Sequence, residues 1–180
     1  ICEKPLSING LEGLEGVTPV LQLRYHPSLV GLEAKQVYVE AKMYRDKSYW
    51  DSWKGDRNKS GGILYNLGIH YIDLLVYLLG KPEKIINATL SSKLCFGEVK
   101  FERGNGKFWI EIVDKQDQQG RKLLVGVKEI TLSNQDNLSY EDLHLKVYQE
   151  FIKGRGHTLN DAQPAIELIN KLKVYGANSM

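Results

Sequence analysis

The stretch GGILYNLGIHYIDLLVYLLGKP, residues 61–82, decides how the rest of the chain is read. Leu64, Leu67, Tyr71, Leu74, Leu75 and Leu78 recur at helical spacing, and Gly80 with Pro82 supplies a stop, so the pattern predicts a helix over 61–79 with one broad apolar face. Placed at 100° per residue, Asn66, His70, Asp73 and Tyr77 fall in one narrow polar stripe. His70 and Asp73 stand three apart. That spacing lets the carboxylate accept a proton from one imidazole nitrogen and leaves the other to face a substrate. The same stripe is also what a simply solvated helix face looks like, and spacing alone does not separate the two.

Outward from this helix, KSYWDSWKGDRNKSGG (47–62) has no periodicity and reads as one long loop. Trp50, Trp53 and Lys54 are placed there to stack a ring and hold an anion, or to anchor the loop to the core. KQVYVEAKMYRD (35–46) alternates, with Val37, Val39, Ala41 and Met43 on one side, and predicts a half-buried strand. VLQLRYHPSL (20–29) begins as a second alternating strand that ends at His26-Pro27. Arg24 and His26 then share a face, suited to gripping a carboxylate or phosphate or to forming an ordinary salt bridge.

Beyond the helix, the runs KIINATLSSK, EVKFE, GKFWIEIV and KLLVGVKEITL between 84 and 133 predict an antiparallel meander, with Gly104-Asn105-Gly106 as a hairpin turn. Two amphipathic helices follow at 139–154 and 160–176. The fold class is therefore α+β. Glycines at 10, 13 and 16 in NGLEGLEGVTP (9–19) predict a weakly ordered segment.

Composition bounds the rest. The chain has 180 residues, 42% of them hydrophobic, and 24 basic against 22 acidic side chains, a formal charge of +2 that calls for neither nucleic acid nor an acidic partner. Its 2 cysteines lack the spacing of a zinc motif or a disulfide framework, no metal site is expected, and a reducing, cytoplasmic setting follows. The run YIDLLVYLLG is about half the ~20 residues a membrane span needs. Three Asn-x-Ser/Thr triplets, at Asn58, Asn87 and Asn137, carry little weight without a secretory route. Lys4 before Pro5 is held extended. Such a lysine moves a proton or holds an oxyanion when burial lowers its pKa, and is otherwise solvated.

Taken in order, EKP (3–5), RYHP (24–27), SGGILYNLGIHYIDLL (60–75), the sheet and DAQPAIELI (161–169) resemble the glucose-fructose oxidoreductase, inositol dehydrogenase and MocA-like (Gfo/Idh/MocA) family of NAD(P)-dependent sugar oxidoreductases. WKGD followed by SGGILYNLGIH looks most like the branch that oxidises the 3-hydroxyl of UDP-N-acetylglucosaminuronic acid. The resemblance implies a largely antiparallel sheet with helices on one face, preceded by the tail of a Rossmann domain. Residues 1–27 would be the remnant of that dinucleotide-binding domain, and 28–180 a substrate-binding and oligomerisation domain. About 120 residues are then expected upstream, carrying the G-x-G-x-x-G that this chain lacks.

By the same resemblance Lys4 and His70 are catalytic, with Asp73 tuning His70. Glu3, Lys4 and Pro5 touch NAD or NADP, and Arg24, His26, Trp53, Lys54 and Asn66 touch a nucleotide sugar. Asn66 stands where the family commonly has aspartate, which suits the sugar-acid branch. A homo-oligomer through the open sheet face is implied. The competing readings are a stand-alone sugar-binding or dimerisation module and a fragment of a free-sugar or inositol dehydrogenase.

Overall fold

The computed structural model describes residues 1–3, 6–7, 11–132 and 140–177. Alternation builds the sheet. β1 (Gln36–Tyr44) buries Val37, Val39, Ala41 and Met43 as expected and turns Tyr38, Glu40, Lys42 and Tyr44 to the other face. β2 (Pro82–Leu90), β3 (Leu94–Phe101), β4 (Gly104–Val113), β5 (Gly120–Val125) and β6 (Lys128–Thr131) complete six strands in the order β2-β3-β4-β1-β5-β6. Only β1 and β4 run parallel; every other pair is antiparallel.

Five helices occur among the described residues: α1 (Lys47–Asp51), α2 (Arg57–Ser60), α3 (Ile69–Leu79), α4 (Tyr140–Ile152) and α5 (Leu159–Ala177). α3 lies on β1 and β4 and α5 on β2 and α3, so the principal core is one helix layer on one sheet face. Within α3 the side chains of Ile69, Tyr71, Ile72, Leu74, Leu75 and Leu79 are at most 1% exposed. Each stabilises the fold by about 1.5–3 kcal/mol before conformational entropy is subtracted. The helical run Arg57–Leu79 is long and apolar enough by composition to cross a membrane, but 72% of its apolar window is buried inside the protein, as suits a core helix.

The helix is widened into a π turn over Leu64–Gly68 before α3 begins. Gly68 sits there because a Cβ would come within 2.8 Å of Ile110 Cδ1; the helix meets the sheet at this glycine.

Three sequence expectations are corrected. Residues 22–25 and 27–29 form two short 3-10 turns rather than a strand, although His26 is extended before Pro27 as predicted. The hairpin between β3 and β4 turns at Glu102 and Arg103. Gly104 opens β4 because a Cβ there would lie 2.1 Å from the Lys35 carbonyl oxygen, and Gly106 because one would meet Phe101 at 2.7 Å. The loop 47–62 contains α1 and α2, each started by an aspartate whose carboxylate accepts a backbone N–H: Asp46 from Tyr49 at 3.1 Å, Asp56 from Asn58 at 2.9 Å.

Residues 11–19 make successive turns through Gly13 and Gly16, both at positive φ. Beyond them Cys2 pairs with Pro19 in a single parallel bridge. Asn9, Gly10 and the triplet at Asn137 lie outside the described residues.

Candidate functional site

The end of β1, the capped turn of α1 and the π turn converge on one open cavity of about 770 Å³. Asp46 fixes the start of α1, and that turn carries Tyr49 to the helix, where its hydroxyl accepts a hydrogen bond from Asn66 Nδ2 at 2.9 Å. The Arg45 guanidinium lies over the Tyr49 ring, 5.4 Å from its centroid. Burial raises the Tyr49 phenol above its ordinary value, partly offset by the bond from Asn66, so the ring reaches the cavity as a neutral hydroxyl. Trp53 and Lys54 enter from the segment between α1 and α2, and Glu3 from the N-terminal segment.

Glu3, Trp53, Lys54 and Asn66, four of the residues picked out in the sequence, therefore line one wall system. His70 lies one helical turn beyond Asn66, half-buried and outside the lining. Lys4 and Pro5 lie outside the described residues.

Arg24 and Asp73 are placed elsewhere, and together. Arg24 donates from Nε to Asp73 Oδ2 at 3.1 Å and from a terminal nitrogen to Oδ1 at 2.8 Å. A further bond to the Asp161 carbonyl at 2.7 Å ties it to the first turn of α5, and its guanidinium lies over the Tyr77 ring. With the Arg24 side chain 8% exposed and that of Asp73 1%, this is a buried cross-link of three elements. The expectation that Arg24 grips a substrate anion is corrected to a structural role. Asp73, expected beside His70, is paired with Arg24 through both carboxylate oxygens. His26 is likewise a turn residue: it is 5% exposed, and its Nδ1 accepts the Ser28 N–H at 3.3 Å.

Tyr44, Arg45, Tyr49, Gln116 and Gln119 line the cavity without having been picked out. Tyr44 and Arg45 were readable as the outward end of an alternating strand. Gln116 and Gln119 were not, because they arrive through the parallel pairing of β4 with β1, which no local pattern encodes. The assembled lining has cations at Arg45 and Lys54, carboxylates at Glu3 and Asp46, three amides and three aromatic rings. That chemistry suits a polar, polyhydroxylated ligand, with Arg45 and Lys54 placed to meet an anionic group on it. Among the described residues no cluster of metal-ligating side chains occurs.

Residues 34–94 match a family model described as the oxidoreductase family, C-terminal alpha/beta domain. The fold is similar to that of the WlbA (WbpB) dehydrogenase from Thermus thermophilus in complex with NAD and alpha-ketoglutarate. The two are 32% identical with a TM-score of 0.76, over 91% of this chain and 60% of that one. Against the structure of that dehydrogenase with NAD and UDP-GlcNAcA the identity is 30% and the TM-score 0.77, over 93% of this chain and 61% of that one. A myo-inositol dehydrogenase from Corynebacterium glutamicum, 14% identical with a TM-score of 0.70 over 99% of this chain and 70% of that one, shares the fold. The chain thus spans about 60% of the length of the Thermus enzyme. It belongs to the Gfo/Idh/MocA oxidoreductase family and carries that family's C-terminal α/β domain.

Proposed function

We propose that this chain is the substrate-binding part of a nicotinamide-dependent dehydrogenase that oxidises the 3-hydroxyl of a UDP-N-acetylhexosaminuronic acid, on a route to surface polysaccharide. The observation that carries the reading is the cavity that gathers Glu3, Trp53, Lys54 and Asn66, with His70 one helical turn beyond Asn66 and outside the lining. Its support from outside the chain is the likeness to the Thermus dehydrogenase solved with NAD and UDP-GlcNAcA. In this reading a dinucleotide-binding domain precedes the chain, residues 1–27 are its remnant and 28–180 the substrate domain. The reading places the protein in the cytoplasm, in keeping with two unpaired thiols, exposed Cys2 and buried Cys95.

A nicotinamide, when bound, supplies the two-electron oxidant for the sugar C–H bond. Glu3 on the cavity rim, with Lys4 and Pro5 following in sequence, would meet its edge, whether NAD or NADP. The chain's own residues do the proton work. His70 takes the hydroxyl proton, Lys4 polarises the oxygen that becomes the carbonyl, and these two roles are exchangeable. Asn66, held by Tyr49, keeps a fixed donor on the substrate side of the helix. Lys54 faces the uronate or diphosphate and Trp53 the sugar ring, 50% exposed and free to stack.

The test is steady-state kinetics of the full-length protein. Trp53→Ala and Lys54→Ala are expected to raise KM for the UDP-sugar acid by about tenfold each, the loss of one stacked or charge-assisted contact. KM values unchanged in both variants would remove them from the site.

A further inference from the structure

On the far side of the Tyr49–Lys54 wall lies a second, smaller cavity of about 80 Å³, bounded by α2, the Gly61-Gly62 turn, the β2–β3 hairpin and α5. Lys54, Arg57 and Lys173 all line it, and no aspartate or glutamate does. The acids nearest in sequence are turned away: Asp51 pairs with Lys47 at 3.2 Å and Asp56 with Lys59 at 3.8 Å. Among the described residues none of the three cations has a carboxylate partner. Lys173 rests over the Tyr65 ring, 5.0 Å from its centroid, which leaves its charge unneutralised.

Hydrogen-bond donors share the rest of the lining with Trp50, Leu90 and Cys95. Ser60 is fully buried, and its oxygen accepts the Gly62 N–H at 3.2 Å, so its own O–H remains to donate. Ser92 enters from the β2–β3 hairpin, where the Ser91 hydroxyl is already donated to the Leu94 carbonyl at 3.0 Å, and Ile63 and Leu64 bring the helical backbone to the same space. Cys95 adds no opposing charge, since burial pushes its thiol up to about 11 despite the nearby Arg57.

Three uncompensated cations around a space of single-phosphate size repel one another and focus a positive potential that a multivalent anion relieves. We propose that this cavity binds a phosphoryl group. The site rests on these residues alone. Naming its occupant as the diphosphate of the substrate, reaching over the shared Tyr49–Lys54 wall, rests on the proposed nucleotide-sugar reading; a free phosphate is the other source of the same chemistry.

The test is calorimetric titration of the 180-residue chain at low ionic strength with inorganic phosphate and, separately, with UDP. Both probes are expected to bind saturably. Arg57→Gln and Lys173→Gln should each weaken binding about tenfold, while Lys171→Gln, on the same helix but outside the cavity, leaves it unchanged. Both test side chains lie at the surface or half-buried, and matching far-UV circular dichroism confirms the fold of each variant. UDP binding tighter than phosphate assigns the site to the diphosphate of a nucleotide; equal affinity assigns it to free phosphate. No saturable binding of either probe, or binding that survives both substitutions, overturns the proposal. A failure of sugar oxidation would leave this result standing.

Discussion

Arg24 and Asp73 show what a buried pair demands of single residues. Removing the guanidinium leaves the Asp73 carboxylate, 1% exposed, without the two bonds that hold it. Arg24→Met is therefore expected to destabilise the chain by about 3–5 kcal/mol in urea unfolding, whereas Arg24→Met with Asp73→Leu recovers most of that loss. A single variant of unchanged stability but weakened substrate binding would return Arg24 to the ligand. Cys95 makes a separate prediction. Burial raises its thiol from the ordinary 9.0 to about 11, with the backbone at Ser91 and the charge of Arg57 opposing. A group raised in the folded state contributes stability that is complete below the unfolded pKa and is lost as pH climbs through the folded one. Between pH ~9 and ~11 the chain should thus lose about 2–3 kcal/mol, a loss absent from Cys95→Ala. Equal slopes for the two proteins in pH-dependent unfolding would contradict it.

At the scale of elements, glycines mark where backbones touch. Gly104→Ala is expected to cost about 1–3 kcal/mol, because its Cβ would lie 2.1 Å from a backbone oxygen that has no rotamer to escape into. Gly120→Ala, with nothing within 4 Å of its Cβ, should be neutral or stabilising by up to about 1 kcal/mol. Thermal unfolding of the pair checks both signs, and equal effects would contradict the steric reading. The strands were legible because alternation is local: β1 buries the four residues that its pattern names. The turn of the β3–β4 hairpin was not, since Gly-Asn-Gly looks like a turn but serves a close tertiary approach to Lys35. The site was legible in part. Trp53, Lys54 and Asn66 stood out by type and position. Tyr49 did not, because its role comes from a cap at Asp46 and a π turn that carries Asn66 to it.

At the scale of the molecule, the sheet face away from α3 and α5 carries a row of half-exposed side chains across four strands: Phe96, Trp109, Glu40 and Lys122. Phe96 stacks on Trp109 with ring centroids 5.2 Å apart. In the proposed function this face pairs with another copy, so Phe96→Glu with Trp109→Glu should shift the molar mass from light scattering to that of a monomer; an unchanged mass would place the interface elsewhere. The central claim, however, concerns chemistry. The measurement that reaches it most directly is the appearance of reduced nicotinamide when the full-length protein containing this chain meets NAD and UDP-GlcNAcA, set against UDP-GlcNAc and myo-inositol. The account predicts turnover with the sugar acid that exceeds the other two by at least about tenfold and collapses in His70→Ala. Turnover preferring inositol, or a rate indifferent to His70, would contradict it.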